Sequence, residues 1–308
     1  MTLLLMAVHT SLLLVMPFVL IGVINRTKAW WGGRKGPGLL QSFWDMRRLL
    51  YKRPVYSTTT TAVFRSGAYL VVVSAVVAGL IAPLLGGVAA MQFRYDFVVF
   101  AYTLGLGRMA MMLSAMDVGS AFEGMGSARE ASFSAFVEPA LFILIGSASI
   151  ATGQTSFAGL IGQWHHSPQF GLVIVPAMLA LLILLQTEAA RVPVDDPTTH
   201  LELTMVHEVM LLDHSGPDLA AMQFAAALKL TTYAGLMAAL LNPFDPAQDL
   251  AAAAVTSVML MLLVAVLVGC VESLMARLRM RWVPRYLLVA GGAALICLAV
   301  VTWGEHLS

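Results

Sequence analysis

The chain has 308 residues, of which 59% are hydrophobic and 11% charged, and its mean hydropathy is +0.83. A soluble domain cannot hide so much apolar surface, whereas a bilayer can, because each helical crossing needs about 20 apolar residues. The net charge of +1 is uninformative as a total, and no nucleic-acid partner is expected.

Eight continuous apolar runs follow one another at about 3–24, 66–90, 97–116, 131–151, 170–187, 219–241, 250–270 and 286–303. Helices are the consistent reading, since barrel strands would be about ten residues long and alternate in polarity. The first run is longer than a signal-peptide core, has no basic residue before it and no clean small-residue cleavage site after it, so a retained helix is expected. Residues 1–308 therefore read as a single polytopic, all-α integral membrane domain with about eight transmembrane helices.

Of the 18 basic residues, all but Arg94, Arg108 and Lys229 fall on one side of this alternation. The positive-inside rule puts that side in the cytoplasm and both termini on the outer side, as an even number of crossings requires. The cytoplasmic segments are then about 25–65, 117–130, 188–218 and 272–285. Within the first, Leu39, Leu40, Phe43, Met46, Leu49 and Leu50 recur at helical spacing beside Arg47, Arg48 and Lys52, which predicts an amphipathic helix on the membrane surface or against a partner. The segment 188–218 is dense in titratable groups, with Glu188, Arg191, Asp195, Asp196, His200, Glu202, His207 and Glu208 among them. So many charges beside large apolar residues suggest a segment covered by something.

Redox ligands are missing from the pattern. Cys270 and Cys297 stand in apolar contexts and are too few for a cluster or zinc site. His207-Glu208 begins like a zinc protease motif, but Leu211 stands where the second histidine belongs, so no metal is expected in this chain. More telling are ionisable residues within or beside the spans: Glu138, Arg108, Lys229, Glu188 and Glu272. An unpaired charge there costs at least about 2.5–3.5 kcal/mol, so such groups pair, face the protein interior or line a water path. A proton relay through Glu138, Glu188, Lys229 and Glu202 is one reading and static buried ion pairs are the other. Arg108, near a predicted helix end, is expected to snorkel.

Several segments together resemble one known family. Gly33-Arg34-Lys35-Gly36-Pro37, then Leu39-Leu40-Gln41 and Asp45, is similar to the first cytoplasmic loop of subunit 1, the membrane heel of respiratory complex I. Arg129 followed by Glu138, the run Glu188-Ala189-Ala190-Arg191-Val192-Pro193-Val194-Asp195, and Glu202-Leu203 match further motifs in the same order. Asn25-Arg26 stands where members with a quinone site have Glu-Arg, and Thr198 and His200 replace loop glutamates. Residues 191–208 and Asp213-His214-Ser215-Gly216 instead resemble the branch found in formate hydrogenlyase and other energy-converting, group 4 membrane-bound [NiFe] hydrogenases.

The resemblance implies an eight-helix fold in a bacterial or archaeal cytoplasmic membrane. It implies a soluble [NiFe] large subunit, a small iron–sulfur subunit and antiporter-like membrane subunits as partners. The [NiFe] centre and iron–sulfur clusters would sit in those partners, and quinone binding is in doubt. Arg34, Lys35, Gln41, Asp45, Arg129, Arg191, Asp195, Asp196, His200, His207 and Glu208 are the expected docking residues. Two other expectations stand beside it: a heel subunit of an NADH:quinone oxidoreductase with a quinone site, and a stand-alone ion transporter.

Overall fold

The computed structural model describes residues 2–196 and 205–307. Among these residues the chain is wholly helical, with ten α-helices and two 3-10 turns at Glu208–Leu211 and Met280–Trp282. In order the helices are α1 (Thr2–Trp31), α2 (Gln41–Leu50), α3 (Ala62–Ile81), α4 (Asp96–Asp117), α5 (Ala121–Thr152), α6 (Phe157–Trp164), α7 (Phe170–Glu188), α8 (Gly216–Leu241), α9 (Leu250–Leu274) and α10 (Val283–Leu307). All but the short α2 and α6 are long and apolar enough to cross a membrane. The chain is an all-helical, multi-pass membrane protein.

Helix α8 forms the middle of the bundle. It packs against α1, α3, α7 and α9 and is buried on nearly every side, as a helix with apolar residues all round should be. The surrounding helices keep one face to the core and leave large residues such as Tyr102, Leu106, Leu172, Val255 and Ile296 exposed, the arrangement lipid contact requires. Helix α10 closes the bundle against α5 and α7.

Polar side chains fix the helix ends. Asp117, at the end of α4, accepts hydrogen bonds from the Thr61 N–H (2.6 Å), the Thr61 hydroxyl (2.8 Å) and the Phe64 N–H (3.2 Å), which joins it to the start of α3. At the other end of α4, the fully buried Asp96 accepts from the Phe157 N–H at 2.5 Å and so anchors α6. These carboxylates satisfy N–H groups that helix starts leave without intrahelical partners.

The expected amphipathic helix is α2, which lies against α8 and α1, with the Ser42 hydroxyl donating to the Phe18 carbonyl at 3.3 Å. Four boundaries differ from those expected of the sequence. Helix α1 continues to Trp31. The run at 66–90 stops being helical after Ile81, because Pro83 and the positive-φ Gly86 break it. The segment at 153–169, expected as a plain loop, contains α6. The largest correction concerns 117–130, expected as a cytoplasmic loop: α5 already begins at Ala121. Its charges lower the local hydropathy, yet Glu123 is buried and Arg129 donates to the Met205 carbonyl at 2.7 Å, so they face protein. Gly126 makes room for this packing. A Cβ there would stand 3.0 Å from Met210 Cγ and 3.1 Å from the Val206 carbonyl oxygen.

Candidate functional site

Helices α4, α5, α7 and α8 each bring a charged side chain to one point inside the bundle. Arg108 of α4 lies about 14 Å from the α4 end that carries Asp117, at 1.5 Å per residue. It is 4% exposed at the side chain and reaches three carboxylates. Its Nη1 donates to Glu138 Oε1 at 2.7 Å, its Nε lies 3.3 Å from Glu130 Oε1, and its Nη2 pairs with Glu188 Oε1. The second oxygen of Glu188 accepts from Lys229 Nζ of α8 at 3.2 Å. Arg108 therefore does not snorkel. A guanidinium offers five donors in a planar fork, which suits it to several carboxylates at once.

Three carboxylates thus face two cations. Burying an unbalanced charge is far costlier than burying a paired one, so the surplus calls for a proton or for another cation. Glu138 is the member open to such a group: its side chain is 50% exposed on the outer surface of the bundle, whereas that of Glu188 is 3% exposed. Pro139 follows Glu138 directly and removes one backbone hydrogen bond at mid-helix. Tyr233, one helical turn beyond Lys229, is fully buried, and its hydroxyl has no hydrogen-bond partner among the described residues.

A second polar assembly lies nearer the membrane face that carries α2 and the basic segments. Asp195 accepts from the N–H groups of Asp196 (2.9 Å), Val206 (3.1 Å) and His207 (2.8 Å), and it pairs with Arg277 at 2.8 Å. Glu272, at the end of α9, holds Lys28 at 2.9 Å and Arg191 at 3.5 Å. These contacts fold the chain after α7 back into the bundle, where Val192, Val194, Met205, Val206 and Val209 are buried.

A cavity of about 440 Å³ opens between α1, α2, α8 and this segment. Gln41, Asp45, Arg191, His207 and Glu208 supply its polar lining, and Phe18, Ile21, Met46 and Phe224 its apolar one. Burial and the nearby Asp195 charge raise the Glu208 carboxyl to about 7, while Arg191 opposes the rise. Burial, with the Lys229 charge adding to it, lowers the His207 imidazole to about 4, against the pull of Glu188. Among the described residues no cluster of histidine, cysteine or carboxylate side chains could hold a metal ion.

Of the residues expected for proton transfer, the structure brings Glu138, Glu188 and Lys229 together around Arg108. Of those expected for docking, Arg34 and Lys35 are exposed. Gln41 donates to Asp45 at 3.0 Å, and Asp45 also pairs with Arg48. Arg191 and Asp195 are turned inward, so they shape the segment rather than present their side chains. His200 and Glu202 lie outside the described residues. Glu130 and Tyr233 are site residues that the sequence did not single out. The seven-residue step from Glu123 to Glu130 and the eight-residue step on to Glu138, which hold all three near one helix face, were the available signal.

The profile of the family described as NADH dehydrogenase matches residues 3–302. The chain belongs to this family, that of membrane subunit 1 of complex I and its relatives. Within it, the chain is 29% identical over 304 residues to hydrogenase-4 component C of Escherichia coli strain K12, covering 95% of this chain and 93% of that protein. It is 25% identical over 273 residues to formate hydrogenlyase subunit 4 of the same organism, covering 87% and 88%. An NADH-quinone oxidoreductase subunit of Solibacter usitatus is 26% identical over a shorter stretch, 55% of this chain and 45% of that one. In fold, this family member is similar to a chain of the membrane-bound sulfane sulfur reductase, an archaeal respiratory membrane complex. The TM-score is 0.80 at 17% identity, with 96% and 99% of the two chains covered.

Proposed function

We propose that this chain is the membrane anchor and proton-coupling subunit of a formate hydrogenlyase-like, energy-converting [NiFe] hydrogenase complex in a cytoplasmic membrane. Its basic face lies in the cytoplasm and both termini outside. A soluble [NiFe] large subunit and a small iron–sulfur subunit dock on that face, and antiporter-like membrane subunits lie alongside in the bilayer. The relatives spanning nearly the whole chain belong by name to hydrogenase-4 and formate hydrogenlyase, which supports the class.

One observation carries the coupling role: a buried group of three carboxylates and two cations at one end of which Glu138 is open. Such a group changes protonation when nearby charge changes, because its members compete for the same counter-charges. Reduction of docked metal centres supplies that change of charge. Electron transfer stays in the partners, and this chain binds, orients and moves protons.

The test is Glu138→Gln in the intact complex. It keeps an oxygen acceptor for Arg108 and removes the ionisable carboxyl. Assembly should persist and proton translocation per turnover should fall about a hundredfold, the lower range for a positioned proton-transfer group. Unaltered translocation would remove Glu138 from the path.

The cavity beside α2 favours a second reading, a quinone-reducing heel subunit, since its volume and mixed lining suit a ligand with a polar head and an apolar tail. Competitive inhibition of the purified complex by quinone analogues would select that reading.

A further inference from the structure

His207 stands between the cavity and the charge cluster. A small internal void of about 10 Å³ is lined by Glu130, Glu188, Lys229 and Asp195 on the cluster side. Among the described residues only Ala190 and His207 line both this void and the 440 Å³ cavity, and of the two only His207 can carry a proton. The void is at the lower limit for holding a single water molecule. His207 Nε2 is buried and has no hydrogen-bond partner among the described residues, the condition that an ordered water ordinarily relieves. Its backbone N–H is fixed by Asp195 at 2.8 Å, which holds the His207 backbone at this junction.

We propose that His207 is the gate through which protons pass from the cavity to the intramembrane carboxylates, by way of one water in the void. This rests on the proton-coupling reading above. The groups facing His207 are Glu188 of α7, Lys229 of α8, Glu130 of α5, and Asp195, with Arg191, Glu208 and Asp45 of α2 along the cavity.

A neutral imidazole has one donor and one acceptor nitrogen. A proton arriving on the acceptor nitrogen is balanced by release of the proton from the other nitrogen to the water, which passes one of its own to Glu188 or Glu130. Turning the ring restores the starting tautomer. The neutral form that burial and Lys229 enforce suits this exchange, because no positive charge then rests beside Lys229.

The test uses inside-out vesicles carrying the complete complex with His207→Ala, His207→Gln or Glu138→Gln, with proton movement per turnover read by a pH-sensitive dye. His207→Ala should lower it roughly a hundredfold, the scale of a positioned proton-transfer group. Added imidazole, which fits the cavity, should restore it in a concentration-dependent way. His207→Gln should assemble, lose proton movement, and resist rescue because its side chain fills the space. Unchanged proton movement in His207→Ala, a loss in the assembled complex that imidazole does not restore, or failure of both His207 variants to assemble would each overturn the assignment. Full coupling in Glu138→Gln would instead overturn the underlying reading. A loss there beside normal behaviour in His207→Ala would overturn only the gate.

Discussion

Arg108 with its carboxylates and the clasp at the basic face use the same residue types and hold opposite surpluses of charge. Within the bundle, Glu130, Glu138 and Glu188 outnumber Arg108 and Lys229. In the ion pairs at the face, three cations, Lys28, Arg191 and Arg277, meet two carboxylates, Glu272 and Asp195, and Glu208 lies near Arg191. A surplus cation near water is solvated at little cost, and Lys28 is partly exposed. A surplus carboxylate away from water has to be paired or neutralised, because leaving it alone is costly. The clasp is therefore suited to hold shape and the inner group to store charge, and four changes would break or sharpen that contrast.

The largest effect is expected from Arg108→Met, which leaves three carboxylates with one amine and costs about 3–5 kcal/mol. The chain should fail to accumulate in the membrane, and adding Glu188→Gln should restore part of it. Immunoblots of membranes would show both. Asp195→Ala comes next. It strips three N–H groups and Arg277 of their acceptor, at about 3 kcal/mol, since a hydrogen bond to a charged group contributes about 1.5–3 kcal/mol. Loss of exchange protection at Val206 and His207 would report it, and unaltered protection would deny Asp195 its holding role.

Glu272→Gln should cost less, about 2 kcal/mol, because an acceptor remains and Lys28 can turn to water while Arg191 stays buried beside it. A small fall in the detergent-denaturation midpoint checks this.

The effect confined to the smallest region is a pH dependence of the turn at Glu208–Leu211. The folded state holds Glu208 at about 7, above its ordinary value, so this contribution to stability is present at acidic pH and is lost as pH rises through 7. His207 is held at about 4, below its ordinary value, so its contribution is present above 6.5 and is lost as pH falls toward 4. Glu208→Gln should flatten only the upper limb of a protease-protection profile.

Hydropathy made the eight spans and α2 legible in the sequence, since continuous apolar runs and a one-sided apolar stripe are local properties. The extent of α5 was not local. Glu123, Arg129 and Glu130 read as loop residues because their partners, in α4 and in the segment after α7, lie far along the chain. Arg108 was misjudged for the same reason, as distance from a helix end says nothing about three carboxylates on other helices. Glu188 and Lys229 could be singled out, but their pairing across α7 and α8 needed the fold. The helix α6 is only eight residues long and gave too short a pattern to register.

The half-open Glu138 has a consequence for how long a solitary copy of this protein survives. Until a neighbouring helix covers that flank, lipid tails border an acidic group and draw water into the bilayer or force its neutralisation. Newly inserted chains should accordingly be short-lived in cells that do not make their companions, and their abundance should follow that of the subunit which shields this spot.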